Sequence, residues 1–271
     1  MVTWTDTSLI LKSFVPVILF ILGLCVMMLF LLYLRKFSGN KRPLFKGFKS
    51  KSTVVYDPLK IIEAQKGNLE DFEDNLYKKE SIVGLILGAR GSGKSALGMK
   101  IAENFASKTN KNICAIGFDK KDVPKWISVI EEPEQIPNNS FVLIDEGGVF
   151  FSSRDSMKEA NKLVSKIILL ARHKDLSILF ISQNSSNIEV NTIRQADYLM
   201  LKPSSLLQLD FERKKIKDIY TQVNSAFEKY KGQKGLFYIY SDNFSGFITN
   251  SLPSFWSKKI SKTLEDKKFN R

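Results

Sequence analysis

The chain has 271 residues, 44% of them hydrophobic, enough for one substantial core plus an appendage and too apolar for bulk disorder. Two cysteines in apolar runs, Cys25 and Cys114, and a single histidine, His173, exclude a disulfide framework and a structural zinc site of the usual kind. The net charge of +13 is unevenly placed: residues 35–51 carry seven Lys/Arg and no acid, residues 52–201 carry 19 basic and 20 acidic residues, residues 202–235 eight against four, and residues 258–271 six against two. The excess flanks a near-neutral middle, where it can meet phosphates or anionic lipid; a solvated lysine surface is the alternative.

In chain order, residues 1–12 form a short N-terminus. Ser13 to Leu34 is a run of 22 residues without charge, the length that crosses a bilayer as a helix. Seven basic residues follow it, so the positive-inside rule predicts a single-pass membrane helix over 13–34, an extracytoplasmic N-terminus and a cytoplasmic remainder. Residues 35–80 read as a basic linker and an acidic-rich connector, with helix expected over Leu59–Ala64. The core domain is placed at 81–257 and a basic tail at 258–271.

Ser81–Leu87 reads as an apolar strand running into Gly88-Ala89-Arg90-Gly91-Ser92-Gly93-Lys94-Ser95, with Ser95–Phe105 the helix that leaves it and Ala96 placed with the loop among the nucleotide-binding residues. Glycine, four residues, then Gly-Lys-Ser is the spacing of a phosphate-binding loop. Glycines allow the angles that close a loop around an anion, and successive N–H groups then point inward. The helix N-terminus adds partial positive charge. Lys94 is expected to reach the β/γ phosphates of ATP, and the Ser95 hydroxyl to bind Mg²⁺. Arg90 is a weaker candidate for phosphate contact.

Asn112–Phe118 reads as the second strand, and Phe141–Glu146 as a strand ending in two carboxylates, Asp145 and Glu146. About 50 residues after a phosphate loop, the aspartate suits Mg²⁺ and the glutamate suits polarisation of an attacking water; Asp-Glu-Gly-Gly also reads as a plain turn. Ser156–Arg172 is an amphipathic helix. Leu176–Gln183 is a further buried strand, and Gln183 is expected at the same sheet edge as Asp145, where its amide can sense a γ-phosphate. Ala196–Leu201 is a fifth strand. This alternation predicts an α/β fold with a mostly parallel, doubly wound sheet. Residues 211–231 read as one helix with Arg213, Lys214, Lys215 and Lys217 in its first turns, a patch suited either to non-specific contact with a DNA backbone or to a solvated helix face.

Gly88–Ser95, Asp145-Glu146, Ala171-Arg172-His173, Ile181-Ser182-Gln183-Asn184 and Ile193-Arg194-Gln195-Ala196-Asp197 together resemble the FtsK-HerA superfamily of DNA-pumping ATPases. Within it they are most similar to the genome-packaging ATPases of membrane-containing tailless viruses and to the zonula occludens toxin-like assembly proteins of filamentous phages. The resemblance covers about residues 81–202. It implies Lys94 and Ser95 on nucleotide and Mg²⁺, Asp145 on Mg²⁺, Glu146 as catalytic base and Gln183 as sensor. It implies a homo-oligomeric ring, usually a hexamer, whose sites are completed by an arginine of a neighbour; Arg154, Arg172 and Arg194 are the candidates. It implies DNA as substrate and a capsid or coat protein as a further partner. The combined expectation is a membrane-anchored ATPase that translocates DNA to package a viral genome. The alternatives are a filamentous-phage-type extrusion ATPase and a tethered nucleotide switch.

Overall fold

The computed structural model describes residues 22–24, 26–30, 54–145 and 157–257, with side chains of 157–161 excluded. Residues 54–257 belong to one compact unit, and the short helical stretch within 22–30 to another.

The larger unit is built on a nine-stranded sheet ordered β1-β9-β8-β7-β2-β6-β5-β3-β4. The strands are β1 (Lys60–Lys66), β2 (Ile82–Leu87), β3 (Asn112–Ile116), β4 (Ser128–Val129), β5 (Ser140–Asp145), β6 (Ser177–Ile181), β7 (Tyr198–Leu201), β8 (Phe237–Ser241) and β9 (Ser245–Thr249). β2 through β7 run parallel, while β8, β9 and β1 extend the sheet as an antiparallel edge. β2, β5 and β6 are buried along their whole length, which is why they read as unbroken apolar runs rather than alternating ones.

Helices cover both faces. α1 (Leu69–Lys78) and α2 (Lys94–Lys108) pack on one side. α3 (Met157–Ala171) and α6 (Lys214–Lys229) pack on the other, and α4 (Val190–Arg194) and α5 (Leu206–Phe211) are short connectors. Successive residues of β2 divide between the two cores: Val83, Leu85 and Leu87 join α3 and α6, while Ile82 and Ile86 join α1 and α2. The expected doubly wound α/β sheet is therefore present. The chain crosses from one side of β2 to the other between β6 and β7, so the C-terminal end of β2 sits at the point where strand order reverses, where open sheets of this kind bind ligands.

Three expectations are corrected. Leu59–Ala64 was expected in a helix, but Lys60–Lys66 is the edge strand β1, paired antiparallel with β9. The helix expected over 211–231 is α6, one helix that starts later, at Lys214, because the separate short helix α5 ends at Phe211 and Glu212-Arg213 lie between them.

The third correction concerns the membrane. Among the described residues no helix is long and apolar enough to cross a membrane. Within the expected span 13–34, the described helical residues are 22–24 and 26–30. The rest of that stretch lies outside the described residues. The expected membrane helix, and with it the anchoring, the single-pass topology, the cytoplasmic placement of the domain and the membrane as a partner, have no support among the described residues.

Candidate nucleotide site

The loop between β2 and α2 closes with backbone angles that side chains disfavour. Gly91 and Gly93 have φ of +75° and +88°. Gly88 is needed for space: a Cβ there would stand 2.6 Å from the Cβ of Lys202. The loop is braced from β7. Lys202 N donates to Leu87 O at 2.8 Å, and Ala89 N donates to Pro203 O at 3.0 Å.

Lys94 opens α2 and is buried. Its ammonium donates to the loop's own carbonyls, Gly88 O and Ala89 O, each at 2.8 Å. Ser95 follows it, and its hydroxyl donates to Asp145 Oδ2 at 3.0 Å. The loop and the end of β5, 50 residues apart in sequence, thus meet at one point. Ser92 Oγ is buried in the same loop without a hydrogen-bond partner. A buried hydroxyl normally finds one, and a phosphate oxygen in the loop would supply it. Ser92, Lys94 and Ser95 therefore fit a nucleotide phosphate. Ser95 with Asp145 fits Mg²⁺, which takes one or two protein oxygens and draws the rest of its octahedron from phosphates and water. Ala96 is buried behind the loop, and Arg90 is exposed.

Gln183 stands where the sheet register puts it. Asp145 pairs with Ile181, so Gln183 lies two residues past that partner on the C-terminal edge of the sheet. Its carbonyl accepts from Gln208 Nε2. Glu146 and Arg154 lie outside the described residues. Arg172 and Arg194 are both exposed and both precede parallel strands, β6 and β7. They occupy the edge from which those strands start, opposite the loop of the same chain.

Sequence reasoning missed Lys202. It is 4% exposed, and its ammonium donates to Leu236 O at 3.0 Å and Gly235 O at 3.2 Å. Burial lowers its pKa to about 8. Its own carbonyl accepts from the Tyr220 hydroxyl of α6 at 3.1 Å, which links α6 to the residue that braces the loop. A lysine directly after an apolar strand and before proline was the available signal. Sequence reasoning also missed the buried group formed by Lys100, Glu103 and Asp57. Lys100 Nζ lies 2.9 Å from Glu103 Oε2 and 3.9 Å from Asp57 Oδ2, and Glu103 also accepts from Ser254 N at 3.1 Å. It ties α2 to segments before β1 and after β9.

At the start of α6 the expected cationic patch divides. Arg213 donates to Ser185 O at 3.0 Å and Ile188 O at 2.7 Å, and Lys217 pairs with Asp210 at 3.0 Å. Lys214 and Lys215 are exposed in a first turn that holds no acidic residue.

A family model described as zonular occludens toxin (Zot) matches residues 94–200. Among solved structures, the chain is similar to B204, the DNA-packaging ATPase from Sulfolobus Turreted Icosahedral Virus. That match has 15% identity, covers 64% of this chain and 98% of that one, and has a TM-score of 0.42. It is similar to the genome packaging NTPase B204 from Sulfolobus turreted icosahedral virus 2 in complex with ATP-gammaS, at 17% identity, 64% and 98% coverage and a TM-score of 0.45. It is also similar to ATPases 2 and 3 of EssC from Geobacillus thermodenitrificans, at 13% identity, 70% and 43% coverage and a TM-score of 0.41. Among curated proteins none matches. The resemblance to FtsK-HerA-type P-loop ATPases and viral packaging ATPases is thus at family level, at 8–18% identity and over part of the chain. The fold is a doubly wound, mostly parallel sheet, and its glycine loop meets the end of β5 through Ser95 and Asp145.

Proposed function

We propose that this chain is a P-loop ATP hydrolase that moves DNA, working as a ring of identical copies and packaging a viral genome. The observation that carries the hydrolase reading is the contact of Ser95 with Asp145 at the mouth of the glycine loop. Lys94 exchanges the carbonyls of Gly88 and Ala89 for phosphate oxygens, and Ser92 gains the partner it lacks. Mg²⁺, when bound, neutralises charge on the phosphates. Ser95 and Asp145 hold that cation, Glu146 orients and deprotonates the attacking water, and Gln183 contacts the γ-phosphate through its amide. An arginine of a neighbouring copy, Arg154, Arg172 or Arg194, completes the site. The exposed lysines at the start of α6 and the strongly basic balance of the chain support contact with a phosphate backbone.

The match of residues 94–200 to the Zot model supports a second reading, a filamentous-phage-type assembly or extrusion ATPase that meets a coat protein. ATP turnover of the full chain, with and without double-stranded DNA and beside Glu146→Gln, separates the two. Stimulation by DNA that vanishes in Glu146→Gln is the expected result. Turnover indifferent to DNA moves the reading to extrusion, and absence of turnover overturns the hydrolase reading.

A further inference from the structure

The loop that follows β6, residues 183–188, is held at several points by one short segment of the chain, Gln208–Arg213. Gln208 Nε2 donates to the Gln183 carbonyl and also, at 3.1 Å, to Glu212 Oε1. The other carboxylate oxygen, Glu212 Oε2, accepts from Ser185 N at 2.9 Å and from Ser185 Oγ. Glu212 is 7% exposed, so these donors replace its water. The Arg213 guanidinium then donates to Ser185 O and Ile188 O.

The segment making these bonds is not held by a core of its own. α5 buries none of its six residues, and Leu206, Leu207 and Phe211 point outward at 71–80% exposure. Its Ser205 cap accepts from Gln208 N at 3.2 Å, which fixes the helix turn that carries the Gln208 side chain. α5 is thus placed by one partly buried contact, Leu209 against the core, and by hydrogen bonds with Gln208 central among them.

We propose that Gln208 is a positioning residue for Gln183: its amide, oriented by Glu212, fixes the Gln183 backbone and thereby aims the Gln183 side chain at the phosphate. The inference rests on the reading of Gln183 as the γ-phosphate sensor. Chemistry of this kind tolerates little displacement, since a shift of about 1 Å in an aligned group costs up to about a hundredfold in rate. Gln208 acts on alignment alone, so its loss lowers kcat and leaves the affinity for ATP, set by the glycine loop, nearly unchanged.

The test is steady-state ATP hydrolysis by the full chain carrying Gln208→Ala, Gln208→Glu, Gln208→Lys, Gln183→Ala, or Gln183→Ala with Gln208→Ala. Thermal midpoints of each variant establish that it is folded. Expected are a kcat about tenfold or more lower for Gln208→Ala with KM within about twofold, and no further loss when it is added to Gln183→Ala. Gln208→Glu matches the glutamine in size but offers no donor and is expected to be as impaired as alanine. Gln208→Lys keeps a donor and is expected to recover activity in part. The opposite order, with glutamate tolerated and lysine not, would mark a packing role and overturn the proposal. So would a loss that adds to that of Gln183→Ala. If Gln183→Ala itself leaves kcat unchanged, the sensor reading fails and this inference with it. If only Gln183→Ala is impaired, the sensor reading stands and this inference alone falls.

Discussion

The hydroxyl of Ser95 donates to Asp145 Oδ2 across 3.0 Å, joining the first residues of α2 to the last residue of β5. Three parallel strands create this meeting. β6 lies between β2 and β5, so the loop leaving β2 and the carboxylate ending β5 face the same edge. On the proposed reading, removing the hydroxyl takes away a Mg²⁺ ligand and the group that orients the carboxylate. Ser95→Ala is expected to weaken Mg²⁺-dependent ATP binding by about 10–100-fold, as loss of metal-orienting partners does. Nucleotide titration with and without Mg²⁺ checks this: the variant should lose mainly the Mg²⁺-dependent part of its affinity.

Much of this site was legible because it is built from buried parallel strands. Ile82–Leu87, Phe141–Asp145 and Ser177–Ile181 are apolar on both faces, and their polar ends mark the sheet edge. The antiparallel edge was less legible. β1, KIIEAQK, has a neighbour on one side only and is largely exposed, so its few apolar residues gave no strand alternation. The break between α5 and α6 was hidden for a different reason. Glu212 ends α5 in order to accept from Ser185, 27 residues earlier, and a long-range bond of that kind leaves no periodic trace. Gln208 and Lys202 were missed likewise: each looks like a surface residue until its partners are known.

Lys202 predicts a pH dependence of stability. Burial lowers its pKa from 10.5 to about 8, so the folded chain binds this proton less tightly than the unfolded chain. Between pH 8 and 10.5 the unfolded state holds more protons, and this residue's contribution to stability rises with pH. Below about pH 8 the folded state carries the full cost of a buried ammonium. From pH 7.5 to 9.5 the wild type should gain up to about 2 kcal/mol relative to Lys202→Met. Denaturant unfolding of both proteins at the two pH values reads the difference, and parallel pH profiles would refute it.

The divided patch at the start of α6 predicts unequal lysines and arginine. Arg213 is committed to the carbonyls of Ser185 and Ile188, so Arg213→Ala should cost about 1–3 kcal/mol of stability by stranding buried acceptors. Lys214 and Lys215 are exposed at a helix N-terminus, where positive charge gains from a nearby anion. Changing both to alanine should leave stability and basal ATP turnover near wild type. If they meet DNA, the salt dependence of log affinity should flatten by about 2. Fluorescence titrations of duplex DNA at several salt concentrations give that slope, and an unchanged slope removes these lysines from the DNA contact.

The placement of Arg172 predicts how copies cooperate. It lies after α3 and before β6, at the sheet edge opposite the glycine loop of its own chain. From there it can serve a nucleotide site only in another copy. Arg172→Ala would then be inactive because its neighbour's site lacks the arginine, while its own loop stays intact. Lys94→Ala would be inactive because its own loop fails, while its arginine stays intact. Mixing the two should restore part of the activity, since some interfaces then pair an intact loop with an intact arginine. An arginine supplied in this way is worth about 10³–10⁵ in rate, so restored turnover would stand well above either variant alone. Turnover of the mixture no higher than the sum of the two variants would exclude Arg172 from the shared site and leave Arg154 and Arg194 as the candidates for the same test.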